Sequence, residues 1–283
     1  MRWFVLAMGV LLTVAALPLL ASADDVLEPG DLLAAEGEAK LQKLDLPAAM
    51  RAYSRAVKAD PRNTVYRERF LELRRVTSIK HYVDSRPNAD RWLPMVVTLH
   101  AFYLNEGLDT AALDIDRHAH TRLGNPTTAV LLSETLLRLD RPAEVVSTLA
   151  PRTSKTWHED VLLGIALARL GKMEDAKGID QRVSAQDTRA LVPVQLQDLA
   201  RLKARLDDVP SALALLTTSL EKTPSTAIEA ARRRIRAEED YANIRTLPSF
   251  AKVLATPSKV AQTCSGGSSC GSCPNRGNCG GAR

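Results

Sequence analysis

Cysteine is missing from the first 263 residues of this 283-residue chain. That absence excludes a disulfide-stapled core or a thiolate metal centre over most of its length. Aromatic residues make up only 4% of the chain, so its packing must rest on small and aliphatic side chains. No long apolar run follows Leu20, so nothing beyond the leader is long enough to span a bilayer. Neither sign of charge dominates, with 38 Lys and Arg against 33 Asp and Glu and an isoelectric point near 9.1. Both signs are interspersed along helical faces, which reads as a solvated helix surface rather than a nucleic-acid footprint.

What is present begins with a secretory signal over residues 1–23. Arg2 supplies the positive start, Phe4 to Leu20 is apolar or small almost throughout, and Ala21-Ser22-Ala23 is a small-residue cleavage site. Asp24 then begins the mature protein, and an uncleaved membrane anchor is the alternative. No cysteine follows the apolar run, so lipid attachment has no acceptor there. The expected location is periplasmic or secreted, with no stable membrane span after cleavage.

The organising stretch runs from Leu33 to Pro61, where Gly37 lies in a first helix and Ala49, Tyr53 and Ala56 lie in a second that Pro61 stops. In type and spacing these five residues resemble the tetratricopeptide repeat (TPR) family, whose two-helix unit recurs about every 34 residues. Leu33 and Lys40 depart from the family pattern. Further matches are Gly107 and Ala112 after Leu99 and Tyr103, then Gly164, Gly171 and Ala176, then Ala200 and Ala212. His100 stands where the family has a small residue, and Asp180 where it has an aromatic one. Residues 63–86 are read as a degenerate pair, and residues 127–150 as a shorter pair turning at Asp140-Arg141.

The resemblance implies an all-α, right-handed solenoid of about six helical hairpins over residues 24–255. A charged capping helix is expected from Ser225 or Thr226 to Tyr241, and a short helix from Pro248 to Leu254. It also implies a non-catalytic scaffold that binds a segment of another protein. In relatives that grip chaperone tails, a Lys and an Asn flank the first repeat's glycine. Ala34 and Glu38 occupy those positions here, and a carboxylate at Glu38 would repel such a tail.

Other patterns carry less. Asp114, Asp116, His118 and His120 alternate, and residues two apart on a helix face different ways. The GxSxG string at Gly267, Ser269 and Gly271 lacks the strand and helix of a nucleophile elbow. Arg232, Arg233, Arg234 and Arg236 are expected to pair with Glu238, Glu239 and Asp240.

Residues 256–283 form a Gly/Ser-rich tail holding Cys264, Cys270, Cys273 and Cys279. Disulfides in an oxidising compartment and a four-thiolate site for zinc or another thiophilic metal both stay open. The first three cysteines also approximate a [2Fe–2S] spacing. No other cofactor is expected. The alternative function is therefore a metal-carrying or thiol-exchange protein that uses this tail. The tail from Pro257 onward is expected to be dispensable for folding of the repeats.

Overall fold

A computed structural model describes residues 28–185 and 187–260 of the chain. The expected leader, the GxSxG string and all four cysteines lie outside the described residues. Those described are all-α, with thirteen α-helices, two short 3-10 turns and no strand. They divide into two compact units, residues 1–78 and 79–283.

In the first unit, α1 (Pro29–Leu41) and α2 (Leu46–Ala59) form an antiparallel pair. Asp45 caps α2, its carboxylate accepting from the Ala48 amide at 3.0 Å. Ala49, Ala52 and Ala56 are fully buried on one face of α2. The ring of Tyr53 lies over Gly37 so closely that a Cβ there would stand 2.7 Å from two ring carbons. The Tyr53 hydroxyl donates to Glu38 Oε1 at 2.6 Å. Glu38 also accepts from Arg69 at 3.0 Å, and Pro61 sits in the turn beyond α2.

Next comes α3 (Thr64–Ser85), one continuous helix where a pair of helices is expected. The reason lies in residues 62–86, which contain neither glycine nor proline to form a turn. Tyr66, Leu73, Val76, Ile79 and Val83 fall on one buried helical stripe. Val65, counted among the apolar positions of that segment, is instead exposed. The division between the two units falls within α3, after Ser78.

The second unit contains four helix pairs: α4 (Trp92–Asn105) with α5 (Asp109–Leu123), α6 (Pro126–Arg138) with α7 (Pro142–Leu149), α8 (Trp157–Arg169) with α9 (Met173–Val183), and α10 (Pro193–Arg205) with α11 (Val209–Lys222). Two further helices, α12 (Ile228–Ala237) and α13 (Pro248–Leu254), complete it. The described residues therefore hold five pairs and the long α3, not six pairs. Helix α12 also starts later than expected, with Ala227 at its N-cap and no side chain capping it.

All five pairs turn in the same way. One residue takes a left-handed backbone, at Leu44, Gly107, Asp140, Gly171 and Asp207. The next amide then bonds back five residues, as Asp45 N to Lys40 O at 3.0 Å and Leu108 N to Tyr103 O at 2.8 Å. The same closure recurs at Arg141, Lys172 and Asp208. These are Schellman closures, which satisfy carbonyls that the helix end would otherwise leave without donors. Only two of the five left-handed positions are glycine, so glycine alone underreports the turns.

Packing in the second unit is aliphatic. Leu136, Leu149, Leu162, Ile165 and Leu199 form one buried cluster with Ala129, Ala166 and Ala176. Leu216, Leu220, Ile235, Tyr241 and Phe250 form another around α12 and α13. Gly164 lies where three helices meet, and a Cβ there would stand 3.1 Å from Leu202 on α10 and 3.2 Å from Ile179 on α9.

Replacing Gly37 by Ala sets two effects against each other. The helix gains about 1 kcal/mol of propensity, but the added methyl meets a ring that is 5% exposed and tethered through its hydroxyl. Overpacking of that kind costs about 1–3 kcal/mol, so Gly37→Ala should destabilise by about 1 kcal/mol. Tyr53→Leu in the same chain should recover part of the loss. Urea unfolding measures both, and a stabilised Gly37→Ala would contradict the close packing.

Candidate binding groove and its polar ladder

The first helices of the four pairs in the second unit line one groove of about 500 Å³. Its wall is apolar, with Val97 from α4, Val130 and Leu131 from α6, and Trp157 from α8. Leu191, just before α10, closes one side, while Glu134 and His158 supply polar groups. Trp157 is oriented by its indole N–H, which donates to Val183 O at 3.0 Å. Helix α8 starts where it does because Thr156 and Glu159 form a reciprocal capping box.

Beside the groove, charged side chains connect one helix to the next. His100 Nδ1 on α4 bonds Asp116 Oδ2 on α5 at 2.9 Å, and Thr135 Oγ1 on α6 donates to the same oxygen at 2.6 Å. The other imidazole nitrogen of His100 lies 3.4 Å from Glu134 Oε2. Glu134 Oε1 is 3.8 Å from His158 Nε2, which bonds Asp198 Oδ2 on α10 at 2.8 Å. Asp198 Oδ1 accepts from Arg201 at 2.9 Å. Arg201 Nε then donates to Asp240 Oδ2 at 2.8 Å.

Asp240 ends the ladder in the 3-10 turn Glu239–Tyr241. It also accepts from Arg169 Nε and Nη2, both at 2.8 Å, and from Arg205 Nε at 2.6 Å. Glu238 adds a contact to Arg169 at 3.2 Å. The Tyr241 hydroxyl beside it donates to Gln197 O at 2.8 Å. Glu238 and Asp240 thus turn towards α8 and α10 and away from the arginines of α12. Of those arginines, Arg232 pairs with Glu229 and reaches Thr256 O at 2.8 Å.

Burial opposes charge throughout this ladder, yet the partners outweigh it. Burial alone would keep His100 neutral, but its hydrogen bonds to Asp116 and Glu134 raise it from 6.5 to about 9. His158 is raised for the same reason, against burial, by Asp198 and Glu134. Asp198 and Asp240 resist the upward push of burial and are held below the usual carboxylate range, the first by His158 and Arg201, the second by Arg201 and Arg169.

The residues singled out from sequence lie elsewhere. Gly37, Ala49, Tyr53, Ala56 and Pro61 belong to the first unit, and none of them lines this groove. Gly107 and Gly171 occupy turns, while Ala112, Gly164 and Ala176 are packing positions. Of the alternating quartet only Asp116 is fully buried, and Asp114 and His118 are exposed, so the four converge on no ion. Asp180 accepts from Lys203 at 2.8 Å, an ion pair in the aromatic residue's place. Sequence reasoning passed over Glu134, His158, Asp198 and Arg201, and gave Asp240 the arginines of α12 as partners in place of Arg169, Arg201 and Arg205. The available signal was a polar residue inside an apolar helical stripe, as Glu134 is in Leu131-Leu132-Ser133-Glu134-Thr135-Leu136-Leu137.

The shift at His100 gives stability a direction in pH. A group whose folded value exceeds its unfolded one contributes fully below the unfolded value and loses that contribution as pH rises through the folded value. For His100 the loss therefore falls between pH 6.5 and about 9. Asp240, shifted down from 3.8, contributes above that value and fails only in stronger acid. The melting temperature should be level from about pH 5 to 6.5 and fall by pH 9, and His100→Gln should flatten that fall. A melting temperature that rises towards pH 9 would contradict the ladder's charges.

No protein-family model and no curated protein matches the chain. A solved structure that it resembles is that of PilW, described as a widely conserved type IV pilus biogenesis factor. The likeness covers 80% of this chain and 98% of that one at 16% identity, with a TM-score of 0.35.

Proposed function

We propose that this protein is an exported, non-catalytic scaffold of tetratricopeptide type whose groove over α4, α6, α8 and α10 holds a segment of another protein. The observation that carries the reading is the groove itself, an apolar wall on the first helices of successive pairs. An extended or helical segment bearing apolar side chains suits such a wall. The leader ending at Ala23 supports export to the periplasm or beyond. Among the described residues, no helix is long and apolar enough to cross a membrane.

The chemistry beside the groove supports binding over catalysis. Both His100 and His158 are bonded to carboxylates that favour the imidazolium form, which counts against either as a general base. Glu38 is occupied by Tyr53 and Arg69, which leaves no donor there for a chaperone's terminal carboxylate. The paired arginines likewise argue against a nucleic-acid partner.

A photo-crosslinking residue at Val97, 36% exposed on the groove wall, should capture a protein partner from an envelope extract. The same probe at Leu44, 46% exposed in the first unit's turn, should not. Val130→Glu should abolish capture at Val97 without lowering the helical circular dichroism. Equal capture from both positions would contradict the groove as the binding surface.

A further inference from the structure

The groove's polar edge has a composition that helix packing does not require. Glu134, His158 and Asp198 come from three successive first helices, and each offers a ligand atom within 4.8 Å of the other two. We propose that these three side chains bind a divalent first-row transition-metal ion of the zinc type, with water in the fourth position facing the groove.

The donor set is one imidazole nitrogen and two carboxylate oxygens, which suits a borderline ion and keeps an open position as exchangeable sites do. Bonds of about 2.1 Å in a tetrahedron place neighbouring ligand atoms about 3.4 Å apart. His158 Nε2 lies 2.8 Å from Asp198 Oδ2 and 3.8 Å from Glu134 Oε1. The first gap must widen and the second narrow by about half an ångström, and the third, between Glu134 and Asp198, must come to the same spacing from within 4.8 Å, shifts that side-chain rotation supplies. On binding, the proton on His158 Nε2 leaves to solvent and the ion takes its place between the same two groups.

The surroundings already hold the carboxylates in place. Asp198 Oδ1 is fixed by Arg201 at 2.9 Å, leaving Oδ2 for the ion. Glu134 Oε2 is approached by His100 Nε2 at 3.4 Å, leaving Oε1. Ligands oriented by such partners lose less freedom on binding. The side chains are 20%, 14% and 6% exposed for Glu134, His158 and Asp198, so an ion can enter from the groove and lose most of its water. Arg234 of α12 opposes the ion, since its charge is felt by both Asp198 and Glu134. This site is separate from any at the tail cysteines and does not depend on a protein partner.

Cobalt(II) alone, titrated into the full chain with its four cysteines alkylated, tests the proposal. One equivalent should bind saturably, and pseudocontact shifts of backbone amides should place it between α6, α8 and α10. Glu134→Gln and His158→Gln should each weaken binding at least ten-fold, while Arg234→Ala should tighten it several-fold. The shifts on the unsubstituted chain decide the matter even where a variant folds poorly. Absence of saturable binding, or shifts that place the ion elsewhere, would overturn the proposal.

Discussion

A carboxylate sealed from water beneath three guanidinium groups is the constraint on which the second unit depends. Asp240 is fully buried as a side chain, and Arg169, Arg201 and Arg205 converge on its two oxygens. Removing such charges from water costs several kcal/mol per ion, and only close, fully bonded pairing offsets that cost. The requirement fixes the placement of residues 239–241. The 3-10 turn carrying Asp240 must lie against α8 and α10, and this in turn seats Tyr241 on Gln197 at 2.8 Å. From Arg201 the same logic runs through Asp198, His158, Glu134 and His100 to Asp116. Each charge is tolerable in the interior because the next one is in place.

Such a ladder ties together the helices that line the groove. The apolar wall residues Val97, Val130 and Trp157 are carried by helices whose opposite polar groups are locked to one another. In the proposed function, a partner entering the groove would meet a surface whose ordering cost is already met by folding, which favours affinity. The carboxylates bonded to His100 and His158 favour the imidazolium form of both rings.

Much of the fold was legible because small residues report close contacts. Gly37 with Tyr53 and the alanines of α2 signalled a helix pair, and a Cβ at Gly37 would stand 2.7 Å from the Tyr53 ring and 3.5 Å from Ala49 O. Turns were legible where glycine took the left-handed position, at Gly107 and Gly171, and at Asp140-Arg141. Helix α3 was misread as a pair because its apolar spacing suits either arrangement, and only the missing breaker distinguishes them. The ladder was illegible for a different reason. A glutamate or arginine within a helix has the same appearance whether it faces water or a buried partner thirty or more residues away. Arg201 and Asp240 are 39 residues apart, and nothing local links them. Nearby arginines on α12 therefore looked like the better partners for Asp240.

Buried charge pairing, and not aliphatic packing alone, fixes the 3-10 turn at Asp240 to α8 and α10. Its most direct test is the stability of Asp240→Asn, which keeps the side chain's shape but withdraws its charge from three arginines. Breaking a buried pair in this way costs about 3–5 kcal/mol. Urea unfolding of the variant should show a loss of that size, with hydrogen exchange hastened in α10, α12 and α13. A variant within 0.5 kcal/mol of the parent, with exchange unchanged in those helices, would contradict the claim.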